Sequence, residues 1–431
     1  MELVNSINAI LYIALTVLYF YQFIYIIIAL FGEKNKKKPI PEASVKHRFA
    51  FIIAARNERA VIGNLIQSIK RQNYPAELID VIVVADNCTD DTADISRQNG
   101  AIVYERFNNM LVGKGYALDY AFSHIAEDFG GYDAYDGYFI FDADNVIDVN
   151  YVKEMNKVFD SGYKVVTSYR NSKNYDTNWI TAGYSLWFIR EAKYLNNPRM
   201  MIKTSCAVSG TGYLVDSSII KKNNGWKCNL LTEDIEFTVT NILNGEKVGY
   251  CGNAMFYDEQ PTTFRQSWNQ RMRWTKGFYQ VLFKYGKDLF ITMFKEKRMF
   301  VSCYDMIMTL APATLLTLGT ILLNVVLLLC SGFNPVLFKQ IFCPTIAAIL
   351  FGFFNFYMML LVIGLITLIT EWKKILAPGR KKIMYLFSFP LFIATYIPIS
   401  IVALFKKVEW KPIPHTVVKT IDDLSMPQYK E

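Results

Sequence analysis

Between Ile7 and Phe31 the chain reads INAILYIALTVLYFYQFIYIIIALF, an uncharged run long enough to cross the ~30 Å of a bilayer's hydrocarbon as one helix. A cleaved signal peptide fits less well: no Lys or Arg precedes the run, the run is too long, and no small-x-small site follows it. Lys34, Lys36, Lys37 and Lys38 come directly after. Positive charge marks the cytoplasmic flank, so the N-terminus is expected outside and the next region inside. Three further apolar stretches lie at about Met299 to Gly332, Ile341 to Thr370 and Ile383 to Phe405. The first two predict a membrane hairpin. The third has basic flanks on both sides (Arg380, Lys381 and Lys382 before, Lys406 and Lys407 after) and contains Pro390 and Pro398. One crossing cannot keep both flanks inside, which predicts a re-entrant or kinked segment, or a double pass hidden in one of the longer runs.

These runs explain why 52 % of the 431 residues are hydrophobic and only 19 % charged, against a usual charged share of about 25 %. Disorder, collagen and disulfide scaffolds are excluded. The seven cysteines show no C-x-x-C spacing and their odd number leaves one unpaired, which fits a reducing compartment. Only three histidines occur, His47, His124 and His415, so a His-rich metal site is not expected. The net charge of +8 gathers beside apolar segments, and points to membrane flanks rather than nucleic acid.

From about Val45 to Tyr285 short apolar runs alternate with helical stretches. HRFAFIIAAR, LIDVIVVAD, GAIVYERF, GYFIFDAD and KVVTSYR are separated by segments such as GKGYALDYAFSHIAEDF. Strands apolar on both faces and joined by helices predict a mainly parallel, doubly wound α/β sheet. Its ligands belong beyond the carboxyl ends of the strands. Asp86 closes VIVVAD, Asp142 and Asp144 close FIFDAD, and Glu233 and Asp234 lie in LLTEDIEF. Two Asp at i, i+2 after a buried strand are hard oxygen ligands suited to Mg²⁺ or Mn²⁺ together with phosphate; a lone D-x-D is otherwise a solvated turn or cap. In NQRMRWTKG, Gln270, Arg273 and Trp274 share one helical face. There a guanidinium can bond a diphosphate and an indole can stack on a sugar, although an amphipathic interfacial helix has the same composition.

The ordered set Asp86, Asp142-x-Asp144, Thr232-Glu233-Asp234 and Gln270-x-x-Arg273-Trp274 resembles the D, D-x-D, T/E-D, Q-x-x-R-W pattern of family 2 membrane glycosyltransferases, among them the hyaluronan, cellulose, chitin and poly-N-acetylglucosamine synthases. The likeness covers about Ala50 to Gly277. It implies a GT-A-like domain inserted between transmembrane helices: a membrane helix over 1–33, the domain over 45–260, interfacial helices over 261–298, membrane segments over 299–405 and a cytoplasmic tail over 406–431. It further implies that Ala54, Asn57 and Glu58 lie beside a uridine, that Asp86 contacts uracil or ribose, and that Lys114 lies by the nucleotide. Asp142 and Asp144 would hold metal and diphosphate. Ser209 and Gly210 match an acceptor-side S-G-x-G loop, and Glu233 adjoins the catalytic base, Asp234. Gln270, Arg273 and Trp274 match the diphosphate clamp and acceptor platform.

The chemistry is consistent, because an inverting transferase needs one carboxylate to accept the acceptor's proton and a positive centre for the departing diphosphate. The motif around Asp86 reads D-N-C-T-D rather than the commoner D-D-G/S-x-D, and the tail segment VEWKPIPHT resembles one that approaches the active site in related synthases. The expected activity is polymerisation of a sugar from UDP-N-acetylglucosamine or UDP-glucose, coupled to export by a multi-pass cell-membrane protein; an accessory membrane subunit is a further expectation. Transfer of one sugar to a membrane lipid is the alternative. Asp305, near the start of an apolar run, is either a functional intramembrane carboxylate or a solvated interfacial one.

Overall fold

A run such as Phe49–Ala55, apolar on both sides of its pleat, needs strands on either edge and helices above and below. The computed structural model, which describes residues 2–32, 40–310, 312–332, 335–410 and 412–425, supplies both. Lys34, Lys36, Lys37 and Lys38, and residues 426–431 of the tail, lie outside the described residues. Helix α1 (Glu2–Gly32) precedes β1 (Phe49–Ala55), α2 (Ile62–Lys70), β2 (Ile79–Asp86), α3 (Thr92–Gln98), β3 (Ile102–Arg106), α4 (Lys114–Asp128) and β4 (Gly137–Asp142). Next come β5 (Val146–Ile147), α5 (Tyr151–Asp160), β6 (Val165–Ser172), α6 (Trp179–Glu191), α7 (Asn197–Met201), β7 (Tyr213–Asp216), α8 (Ser217–Lys222), α9 (Glu233–Leu243) and β8 (Val248–Asp258).

The eight strands form one sheet in the order β3-β2-β1-β4-β7-β6-β8-β5. Strand β1 is parallel to β2 and β4, β2 to β3, and β6 to β8; β7 runs antiparallel between β4 and β6, and β5 antiparallel to β8. The two-residue period separates the faces. Ile52, Ile82 and Ile140 pack with Leu118, Phe122 and Trp226 on one side, while Phe51, Val83 and Phe139 pack with Leu65 and Val152 on the other. Register sets Ala54 opposite Asp142, which brings the ends of β1 and β4 together at the carboxyl edge.

Helix α10 (Phe264–Lys295) starts at a capping box between Thr263 and Gln266. The apolar run from Met299 continues as helix on either side of residue 311, which lies outside the described residues. Helix α11 (Phe300–Leu310) lies against α9 and α10, with Met299, Cys303, Met306 and Leu310 packed on Ile235, Val239 and Ile242. Only after it do α12 (Pro312–Ser331) and α13 (Pro335–Thr370) form. Asp305 in α11 is neither solvated nor a free carboxylate. It is buried, accepts from Arg199 Nε and Nη2 at 2.7 Å each, and accepts from Tyr25 at 2.8 Å and Tyr21 at 3.2 Å. This ion pair joins α1, α7 and α11.

Ser6–Gly32, Phe338–Thr370 and Gly379–Phe405 are long and apolar enough to cross a membrane. The last is kinked, dividing at Thr395 into α14 (Gly379–Ala394) and α15 (Tyr396–Phe405). Pro398 has no N–H to continue the ladder across that point. Helix α14 packs on α6 and α13, and α15 packs on α10. The Phe392 ring sits so close to α6 that a Cβ on Gly183 would lie 2.4 Å from it. Near one end Lys381 Nζ donates to the Asp176 carbonyl at 2.8 Å; at the other, Lys276 Nζ donates to the Leu404 carbonyl at 3.4 Å. The two ends therefore contact the loop before α6 and helix α10. The tail returns to the sheet through α16 (Ile421–Ser425), whose Ile421 and Leu424 pack on Val146 and Tyr257.

Candidate active site at the carboxyl edge of the sheet

One lysine links Asp142, at the end of β4, to the loop that bonds Asp234. Lys114, first residue of α4, donates from Nζ to Asp142 Oδ1 at 2.5 Å and to the Gly210 carbonyl at 2.7 Å. The Gly210 N–H donates to Asp234 Oδ2 at 2.6 Å. Gly210 adopts φ +77°, a left-handed backbone that a residue without Cβ adopts freely. Glu233 and Asp234 open α9, where the exposed N–H groups of the first turn favour negative charge. Burial nevertheless raises the pKa of both carboxyls, and the charge of Asp234 pushes Glu233 further up. Burial also opposes the charge on Lys114, but Asp142, Glu233 and Asp234 outweigh it and raise its pKa.

Asp144 faces a different environment. Its Oδ2 accepts from the Glu259 N–H at 2.9 Å, and Asn145 Nδ2 donates to Oδ1 at 3.2 Å. Burial alone would raise its pKa, yet His415, Lys173, the Glu259 N–H and Arg170 together lower it. Lys173 Nζ is fully buried without a hydrogen-bond partner among the described residues, and burial lowers its pKa.

On the predicted nucleotide side, Asp86 is buried and accepts from Arg106 Nη1 at 2.6 Å, while Arg106 Nη2 donates to the Leu111 carbonyl at 2.7 Å. Asn57 is exposed with φ +57°, and its side-chain oxygen accepts from the Thr89 N–H at 2.8 Å, which ties the end of β1 to the loop after β2. Ala54 contributes its position beside Asp142.

Gln270 and Trp274 both lie on α10. Gln270 Oε1 is buried with no hydrogen-bond partner among the described residues. Trp274 meets Tyr184 and Phe188 edge-on, with centroids 5.8 and 6.1 Å away. Arg273 lies near enough to Glu233 to lower its pKa. Its neighbour Arg271 faces elsewhere: buried, it donates to the Phe392 carbonyl at 3.0 Å and Thr395 Oγ1 at 2.6 Å, fixing α10 to α14.

The tail adds residues that strand-end reasoning did not assign. His415 Nδ1 lies 2.9 and 3.0 Å from the two Glu58 oxygens, and the Thr416 and Val417 N–H groups donate to Glu259 at 2.8–3.1 Å. Burial pushes the imidazole toward neutrality, but Asp144, Glu58 and Glu259 outweigh it and raise its pKa to about 10. Arg56 stacks on Trp410 with 5.5 Å to the ring centroid. Sequence offered only the tail's resemblance as a signal here, and none for Lys173 or Glu259, which follow β6 and β8. Among the described residues no cluster of three or more His, Cys, Asp or Glu is arranged to hold a metal ion.

A family model described as "Glycosyltransferase like family 2" matches residues 47–277, more than half of the chain. Beta-monoglucosyldiacylglycerol synthase of Synechocystis sp. is 28 % identical over 242 residues, covering 55 % of this chain and 49 % of that protein. Poly-beta-1,6-N-acetyl-D-glucosamine synthase of Staphylococcus aureus is 25 % identical over 268 residues, covering 61 % of each. The chain thus spans about half to three-fifths of the length of the curated relatives it matches. Among solved structures, the mannosyltransferase PcManGT from Pyrobaculum calidifontis, in complex with GDP-Man and Mn²⁺, aligns with a TM-score of 0.48 at 15 % identity, over 85 % of this chain and 98 % of that one.

Proposed function

The chain belongs to glycosyltransferase family 2, and from that premise we propose that it moves a sugar, with inversion, from a UDP-sugar to an acceptor hydroxyl beside Asp234. The observation that carries the reading is the bonded row Asp142, Lys114, Gly210, Asp234. It joins a strand-end carboxylate suited to the leaving diphosphate with a carboxylate of raised pKa suited to accepting a proton. Asp234 takes the hydroxyl proton as that oxygen attacks the anomeric carbon. Lys114 and Arg273 face the departing charge, Asp86 with Ala54, Asn57 and Glu58 borders the nucleotide, and Ser209, Gly210, Glu233, Gln270 and Trp274 border the acceptor.

Asp142 and Asp144 fit Mg²⁺ or Mn²⁺, since such ions commonly take one or two protein carboxylates and fill their shell with phosphate and water. Bound there, the ion would neutralise charge on the diphosphate oxygens. EDTA is expected to abolish UDP release and either ion to restore it; full activity after exhaustive chelation would overturn this assignment.

We read the acceptor as a growing polysaccharide whose extension is coupled to export, in line with the relative named for poly-N-acetylglucosamine synthesis. A second reading, one sugar placed on a membrane lipid, is favoured by the membrane helices. Helices α1, α12 and α13 pack directly on one another, and Asn8 and Asn324 exchange hydrogen bonds of 2.8 and 3.0 Å between α1 and α12. A polymer conduit through these helices would call for an accessory membrane subunit, as the polysaccharide reading expects. Product length from purified enzyme and radiolabelled UDP-sugar separates the readings, because discrete glycolipid alone eliminates the polymer.

We further propose that the α/β domain and the tail lie on the cytoplasmic face of the cell membrane, with the segment 379–405 starting and ending there. A reporter fused after residue 420 is expected to signal a cytoplasmic location. An extracytoplasmic signal would overturn this topology.

A further inference from the structure

Two residues past Asp234, Glu236 is buried. A carboxylate in the interior is costly unless its oxygens are well bonded, and here four donors reach them. Oε2 accepts from the Asn229 and Leu230 N–H groups at 2.9 and 3.0 Å, and Oε1 accepts from Lys284 Nζ at 2.7 Å and the Tyr285 hydroxyl at 2.9 Å. One carboxylate thus fastens two segments to α9, the helix that opens with Glu233 and Asp234. The first is the loop leading into the Thr232-Glu233-Asp234 motif. It packs on the start of α4, where a Cβ on Gly115 would collide with the Cys228 carbonyl, and Lys114 is the neighbouring residue. The second is α10, which carries Gln270, Arg273 and Trp274.

Helix α10 meets α9 along one face, since Gly277, Val281 and Lys284 recur at i, i+4 and i+7. A Cβ on Gly277 would lie 2.5 Å from the Thr232 side chain, Val281 packs in one cluster with Ile235 and Val239, and Lys284 ends the row on Glu236. Apolar contacts are non-directional, whereas charge-assisted bonds to a carboxylate are directional and set register, the best-attested use of a buried ionic group. We propose that Glu236 is a positioning residue for sugar transfer, holding Asp234 on α9 in register with Lys114 on α4 and Arg273 on α10. The proposal rests on the transferase reading above and adds the residue that aligns its parts.

The full-length enzyme in detergent is assayed for UDP release from UDP-N-acetylglucosamine and UDP-glucose, with a short N-acetylglucosamine oligomer or monoglucosyldiacylglycerol as acceptor. In Glu236→Gln the side-chain oxygen can still accept the loop N–H groups, but its amide donor then faces the Lys284 ammonium, so the tie to α10 is lost. The variant's kcat is expected to fall roughly 10- to 100-fold, the effect of misplacing reacting groups by about an ångström, with donor KM within about twofold. Lys284→Met, at a side chain 52 % exposed, is expected to lower kcat in the same way, and Lys284→Arg, which can still pair, to recover most of the loss. The double variant Glu236→Gln with Lys284→Met should be no slower than the slower single variant, because both break one contact. If Glu236→Gln loses its gel-filtration peak, the two Lys284 variants carry the test. Unchanged kcat, losses that multiply in the double variant, or a donor KM that rises in step with the fall in kcat overturns the assignment. Wild-type release upholds the transferase reading whatever the variants do, and no release with any donor and acceptor overturns that reading and this one with it.

Discussion

Asp234→Asn is expected to lower sugar transfer by roughly 10²- to 10⁴-fold, the usual contribution of a positioned general base, while nucleotide-sugar binding persists. The geometry makes these effects separable. Asp234 holds the Ser209–Thr211 loop by accepting the Gly210 N–H at 2.6 Å, and the side-chain oxygen of Asn can accept the same bond. What Asn cannot do is take a proton from an attacking hydroxyl. Donor-induced thermal stabilisation measured beside turnover checks the expectation; equal loss of both would move Asp234 from proton acceptor to donor ligand. The pH dependence has a definite sign. The base must be ionised, and burial raises the pKa of both Glu233 and Asp234. Turnover should therefore fall as pH drops, with its acidic limb above the ordinary carboxylate range of about 4.

The second large effect concerns stability. Asp305→Leu leaves the Arg199 guanidinium buried without its partner, since the pair is about 3 % exposed on each side. Removing one member of a buried ion pair typically costs about 3–5 kcal/mol. The double variant Arg199→Met with Asp305→Leu replaces both charges by apolar groups and should be more stable than the single variant. Thermal unfolding in detergent, followed by gel filtration, measures both. A single-variant loss below about 1 kcal/mol, the ceiling for exposed pairs, would contradict the burial seen here.

Most of the sheet was legible because β1, β2, β3, β4 and β6 are apolar runs bounded by turns, and Asp86 and Asp142 end two of them. Strands β7 and β8 were not legible as strands. The first has four residues, and the second includes exposed Gly252 and Asn253 that interrupt its pattern. The row through Lys114 was legible only as separate motifs, because a sequence does not state that residues 114, 142, 210 and 234 touch. The tail that holds His415 was legible as a resemblance, but its pairing with Glu58, 357 residues away, was not, for the same reason. Asp305 misled in the opposite direction. An acid in an apolar run suggests function, but Arg199, which explains it, lies 106 residues earlier.

The returning tail imposes an order of events on biosynthesis. The sheet and its acids are encoded before the helical hairpin α12–α13, whereas His415 and the N–H groups that hold Glu259 are encoded after it. A ribosome therefore finishes the strands well before it supplies the residues that close over Glu58 and Glu259. A nascent chain that stops short of residue 415 carries strands whose edge is still open. Closure of that edge waits on the last segment of the chain, so a protein truncated before it lacks the contacts His415 makes with Glu58.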